Sequence, residues 1–93
     1  MEGIKIKEPC EYFNVKNEKE FEKIESKIWG LIGYCKKWHY ERKAKGLFYY
    51  ELDINETNIS IYALISFDKN LKFKGAVYFV YPKDSKLVKE IFS

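Results

Sequence analysis

The chain has few of the residues that mark a secreted, membrane-bound or metal-binding protein. Its 93 residues include two cysteines, two prolines and one histidine. The two cysteines, Cys10 and Cys35, are too few for a disulfide framework, so we expect free thiols. No apolar run reaches the length of a membrane span, and residues 1–5 do not resemble the start of a secretory signal. The sequence predicts a cytoplasmic protein that uses no metal and no cofactor.

The overall composition is that of a folded protein. Hydrophobic residues make up 46% of the chain and charged residues 33%, whereas a disordered chain has few apolar residues and a large net charge. The length suits one domain with a modest core, and pairing with a second copy would bury more apolar surface. We therefore predict a single domain over residues 1–93 that forms a homodimer.

The first half of the chain shows a strand pattern followed by a helix pattern. Residues 3–7 alternate apolar and polar, which predicts a first strand. Asn17 with Glu20 three residues later is typical of a helix start, and apolar residues then recur at helical spacing as far as Cys35. Because basic residues follow Cys35 and Gly46 comes after them, the helix is predicted to extend to about Lys45.

After Gly46 the apolar spacing changes from helical to alternating. Three alternating segments separated by short polar turns predict an antiparallel meander, and a short C-terminal helix begins at Asp84 or Ser85. The predicted core faces are Phe48, Tyr50, Leu52 and Ile54; Ile59, Ile61, Ala63, Ile65 and Phe67; and Phe73, Gly75, Val77, Phe79 and Tyr81. The fold class is α+β, a two-layer sandwich with one long helix packed on an antiparallel sheet in the order β-α-β-β-β-α.

The opposite face of this predicted sheet is less polar than a solvated face. The C-terminal helix or a dimer partner could cover it, since exposed apolar patches usually mark interfaces. Tyrosines on a sheet could instead stack on the bases of single strands. The residues predicted to form this sheet-face interface include Tyr49, Tyr62, Leu64, Tyr78 and Val80.

The net charge of +3 comes from one short stretch, residues 36–45, called the basic segment below. It contains five basic residues and one acidic residue, a net charge of +4, and it holds the only His, the only Arg and one of the two Trp. Acidic protein surfaces or phosphates would be attracted to it. The predicted partner-binding residues are Lys36, Lys37, Trp38, His39, Tyr40, Arg42, Lys43 and Lys45.

These features favour a non-enzymatic accessory or inhibitor protein that binds a larger anionic protein partner, through either the basic segment or the sheet face. A nucleic-acid-binding module that uses the basic segment is the alternative. A small enzyme is the second alternative, because Cys35 and His39 would lie four residues apart on one helix face and Cys10 could join them as a metal ligand. No close cysteine pair or phosphate-binding glycine loop supports that last hypothesis.

Overall fold

The computed structural model describes residues 6, 8–42, 45–83 and 85–93. Five strands form one antiparallel sheet, and two helices pack on one of its faces. The elements are β1 (Glu11–Val15), α1 (Glu18–Trp29), β2 (Cys35–Arg42), β3 (Lys45–Ile54), β4 (Thr57–Phe67), β5 (Phe73–Tyr81) and α2 (Lys86–Phe92). A 3-10 turn, Ile32–Tyr34, connects α1 to β2. The α+β class and the two-layer arrangement are thus confirmed, but the element order is β-α-β-β-β-β-α.

The strands lie in the order β1-β5-β4-β3-β2, so that β1 and β2 are the two edges. A two-residue turn joins β3 to β4, with Asn55 and Glu56 both at positive φ, 51° and 66°. Such turns match the twist of antiparallel strands and fix their register. The register places Tyr50 opposite Ile61 and Leu52 opposite Ile59, which puts the predicted apolar faces of β3 and β4 together against the helices.

Helix α1 begins as the sequence predicts. The backbone N–H of Glu20 donates a 2.7 Å hydrogen bond to the Asn17 side chain, and Glu18 and Glu20 lie in the first turn, where the helix dipole favours acids. Ile24 and Ile28 are buried on its inner face. The helix is therefore built from a local cap and an apolar stripe.

The predicted extension of this helix to Lys45 is wrong. It ends at Trp29, with Gly30 as the C-cap, and the basic segment forms most of strand β2 and the start of β3. Glycine costs about 1 kcal/mol in a helix relative to alanine, whereas aromatic and alternating residues such as Trp38 and Tyr40 suit a strand. Gly46, predicted as a helix cap, lies in β3 opposite Arg42.

Helix α2 closes the same side of the sheet as α1. Val88 and Ile91 are buried, and the Phe92 ring stacks on Phe13 of β1 with centroids 4.5 Å apart. The Lys27 ammonium donates to the carbonyls of Glu90 and Ser93 at 3.2 and 3.1 Å, which stabilises the C-terminal end of α2. The predicted short helix is confirmed, but it does not cover the opposite sheet face, which we call the outer face.

Two further predictions, for the first strand and for the faces of β5, do not match the structure. The residues predicted for the first strand, 3–7, lie outside the described residues except for Ile6, which is not in a strand; the first described strand is β1. In β5 the faces are exchanged: Tyr78 and Val80 are fully buried towards the helices, and Phe79 points to the outer face. Both faces of β5 are apolar, so alternation alone could not assign them.

Candidate functional site

An aromatic groove lies where the end of α1 meets the edge strand β2. Its volume is about 420 Å³. We call it the aromatic groove, and its lining residues are Trp29, Ile32, Trp38, His39, Tyr40, Phe48 and Tyr50. Both tryptophans of the chain contribute to it, and large apolar clefts of this size are the usual form of a binding site.

The β2–β3 register builds one wall of the groove. Trp38 lies opposite Tyr50, and Tyr40 lies opposite Phe48, so these four side chains share the sheet face that carries the helices. The Tyr40 and Phe48 rings pack with centroids 4.6 Å apart. Trp29, the last residue of α1, and Ile32 of the 3-10 turn form the opposite wall.

The groove walls are open to solvent. Trp38 is 69% exposed and Trp29 is 57% exposed, whereas Tyr50 is buried and forms part of the floor. Tryptophan is enriched among residues that dominate binding energies, because its large ring buries much apolar area at low entropic cost. Two exposed indoles beside one groove therefore make it the candidate binding surface of the described residues.

A half-buried carboxylate, that of Glu25, lies behind the groove floor. The hydroxyl groups of Tyr50 and Tyr78 donate to the two oxygens of Glu25 at 2.9 and 2.6 Å. Burial raises the pKa of Glu25, and the two hydrogen bonds oppose that rise. The same burial, together with the Glu25 charge and hydrogen bond, raises the pKa values of Tyr50 and Tyr78. This polar cluster fixes the orientation of the Tyr50 ring in the groove.

The basic segment runs along the groove as part of the sheet edge. Lys36 and Lys37 are exposed, and Lys36 pairs with Asp53 of β3 at 3.4 Å. Trp38 and Tyr40 point to the groove, whereas pairing with Glu51 and Tyr49 places Lys37 and His39 on the outer face, although His39 also borders the groove. Of the other predicted partner-binding residues, Arg42 is the last residue of β2 and Lys45 is the first residue of β3. Lys43 lies outside the described residues.

The outer face carries a row of aromatic residues across the sheet. The register aligns Tyr12, Phe79, Tyr62, Tyr49 and His39 on five adjacent strands. The Tyr49 and Tyr62 rings lie 4.7 Å apart, and the Tyr49 hydroxyl donates to Glu51 at 2.7 Å. Tyr49, Tyr62 and Leu64 of the predicted interface lie here, but Tyr78 and Val80 do not. A homodimer through this face stays a prediction.

The geometry on which the enzyme hypothesis depended does not form. Cys35 and His39 lie on a strand, where four residues span about 13 Å, rather than on one helix face. The Cys35 thiol donates to the Lys37 carbonyl at 3.0 Å. Cys10 directly precedes β1, at the opposite edge of the sheet from Cys35. Within the described part of the chain, no three His, Cys, Asp or Glu side chains are grouped as metal ligands.

Sequence reasoning placed Trp38, His39 and Tyr40 among the partner-binding residues but did not predict the other residues of the groove. Trp29 follows Ile28 and lies off the apolar stripe of α1, so an apolar residue on the wrong side of an amphipathic helix was the available signal. For Glu25 the available signal was a charged residue on the apolar side of the helix, because Glu25 lies four residues after Phe21 and therefore within the apolar stripe. Phe48 and Tyr50 were assigned to the core, which is correct for Tyr50.

The comparisons with known proteins found no relative: no family model, no curated protein and no solved structure matches this chain. Neither α1 nor α2, the two helices of the described residues, is long and apolar enough to cross a membrane.

Proposed function

We propose that this protein is a non-enzymatic binding protein, an accessory or inhibitory partner of a larger protein, and that it binds an acidic region of that protein at the aromatic groove. The observation that carries the proposal is the pair of exposed tryptophans on one groove beside the basic segment. Exposed aromatic anchors supply affinity, and the surrounding positive charge selects acidic partners and speeds association.

A single-stranded nucleic acid is the second candidate for the same groove. The exposed Trp38 ring supports it, together with Lys37, which precedes Trp38 in β2 and points to the other face of the sheet. Bases stack on aromatic rings while cations neutralise phosphates. Two observations favour protein over nucleic acid. Asp53 already pairs with Lys36, and Glu51 lies directly opposite Lys37. These carboxylates oppose a phosphate backbone, which carries a charge at every nucleotide, more than a peptide in which acidic and apolar residues alternate.

Selection from a library of displayed random peptides tests this proposal. The purified protein should enrich peptides that combine Asp or Glu with an aromatic or large aliphatic residue, and the variant Trp38→Ala should release them. Tyr34→Ala is the matched control, because Tyr34 is exposed but does not line the groove. Failure to enrich any peptide, or equal retention by Trp38→Ala, would contradict the proposal.

A labelled single-stranded oligonucleotide at low salt forms the second arm of the experiment. Binding of the oligonucleotide that is tighter than that of any selected peptide, and that is lost in Trp38→Ala, would assign the groove to nucleic acid instead. Circular dichroism of each variant verifies that the fold is intact.

A further inference from the structure

We propose that the partner binds as an added strand: an extended acidic segment of another protein pairs with the outer edge of β2 and places an aromatic or large aliphatic side chain in the aromatic groove. This inference rests on the proposed function, since it specifies the shape and chemistry of the partner at the same site. It is argued from the edge of the sheet, the alternation of β2 side chains and the charge of the basic segment.

Strand β2 offers a long edge for pairing. It has eight residues, and β3 is the one strand paired with it in the described sheet. An edge strand presents a row of backbone N–H and C=O groups that lack a neighbouring strand, and an extended peptide can add to such an edge through main-chain hydrogen bonds. The other edge, β1, is shorter, with five residues.

The groove lies beside this edge on one face of the sheet. Trp38 and Tyr40 point to the helix side, and Lys37 and His39 to the outer face. An added strand would follow the same alternation, since successive side chains of a strand point to opposite faces. Every second side chain of the partner would therefore face the aromatic groove, and the side chains between them would lie beside Lys37.

The charge of the edge selects the partner. Two copies pairing edge to edge would bring together two basic segments, each with a net charge of +4, and lysines on an edge are a common protection against such pairing. An acidic strand would be attracted by the same charge. The charge therefore disfavours a second copy at this edge and fits a heterologous segment in which acidic and large apolar residues alternate.

Four synthetic peptides of nine residues test strand addition. The first alternates Glu with Phe or Leu. The second has the same composition, with the acidic and apolar residues in separate blocks. The third and fourth are the alternating peptide with N-methyl groups on its odd or its even amides. Because the amides of successive residues point to opposite edges of a strand, one methylated peptide blocks pairing with β2 and the other leaves it intact.

Titration calorimetry with the whole protein should show the alternating peptide binding at least about tenfold more tightly than the block peptide. One of the two methylated peptides should lose at least about tenfold in affinity, while the other keeps its affinity. Trp38→Ala should weaken the alternating peptide by at least about tenfold, and Tyr34→Ala should not.

The outcomes separate this inference from the proposed function. Equal binding of the alternating, block and both methylated peptides, all dependent on Trp38, would keep the groove as a binding site and overturn strand addition. Absence of binding by every peptide would overturn the proposed function together with this inference.

Discussion

At the scale of single residues, the most constrained group is Glu25. Its carboxylate lies in the apolar stripe of α1 and accepts hydrogen bonds from Tyr50 and Tyr78. A buried carboxylate without such donors would be strongly destabilising, since burial disfavours the charged form. The two tyrosine hydroxyls offset part of this cost, and the arrangement holds the groove floor in place from behind.

The raised pKa of Glu25 predicts a specific dependence of stability on pH. A carboxyl whose pKa is higher in the folded than in the unfolded state stabilises the fold while protonated, and this contribution is lost as pH rises from the ordinary value of 4.5 through the raised value. Glu25→Gln stays uncharged throughout. Relative to wild type, its free energy of unfolding should therefore increase between pH 4.5 and pH 7.

Urea unfolding of both proteins at several pH values measures this difference. Glu22→Gln is the matched control, because Glu22 is an exposed acid on the same helix and should track the wild type. A constant difference between Glu25→Gln and wild type across this range would show that Glu25 titrates normally in the folded protein.

At the scale of secondary-structure elements, features set by neighbouring residues could be predicted from the sequence, whereas features set by tertiary packing could not. The start of α1 and the faces of β3 and β4 could be predicted, because a side-chain cap and a strict alternation act within a few residues. The end of α1 could not, because Leu31, Ile32 and Cys35 continue the helical spacing. In the structure Ile32 belongs to a 3-10 turn, with Leu31 preceding it, and Cys35 belongs to a strand. The decision there came from pairing with β3, which is a tertiary effect.

The candidate site likewise combines residues that could be predicted from the sequence with residues that only the tertiary structure brings to it. Trp38 and Tyr40 could be identified from the basic segment, but the groove needs Trp29 from α1 and Phe48 from β3 beside them. The β2–β3 register brings Phe48 beside Tyr40, and the packing of α1 on the sheet adds Trp29. The side chains of β5 were assigned to the wrong faces because residues on both faces are apolar, such as Phe79 and Val80. In the structure Tyr78 lies on the helix side, where its hydroxyl donates to Glu25.

The cap of α1 provides a prediction at this scale. Asn17→Ala removes the acceptor of the Glu20 N–H and should lower the free energy of unfolding by about 1 kcal/mol. Asn14→Ala, at an exposed position of β1, is the control and should change stability by less than about 0.5 kcal/mol. Chemical denaturation measures both, and equal effects of the two substitutions would show that the cap contributes nothing.

At the scale of the whole molecule, the asymmetry of the sheet determines what is accessible. Both helices pack on one face, and the net positive charge is concentrated at the β2 edge rather than spread over the surface. The protein therefore presents an apolar groove and a cationic edge side by side. A partner would gain affinity from apolar contact and association rate from charge, two contributions that salt separates.

Salt should weaken the binding of an acidic peptide without abolishing it. Raising the salt concentration from about 0.05 M to about 0.5 M screens the basic segment, while contact with the aromatic groove persists. Lys37→Gln should bind less tightly than wild type at low salt, and the two affinities should converge at high salt. Calorimetric titrations across the series measure this, and an affinity independent of salt in both proteins would exclude a role for the basic segment.

The central claim is that the aromatic groove is the binding site, and the two tryptophans allow a direct test. The chain has two indole N–H groups, and both belong to the groove, so the indole region of a ¹⁵N–¹H correlation spectrum reports on this site alone. We predict that an acidic peptide selected by the protein shifts both indole signals in a saturable manner. A peptide that binds by calorimetry while both indole signals stay unchanged would contradict the claim.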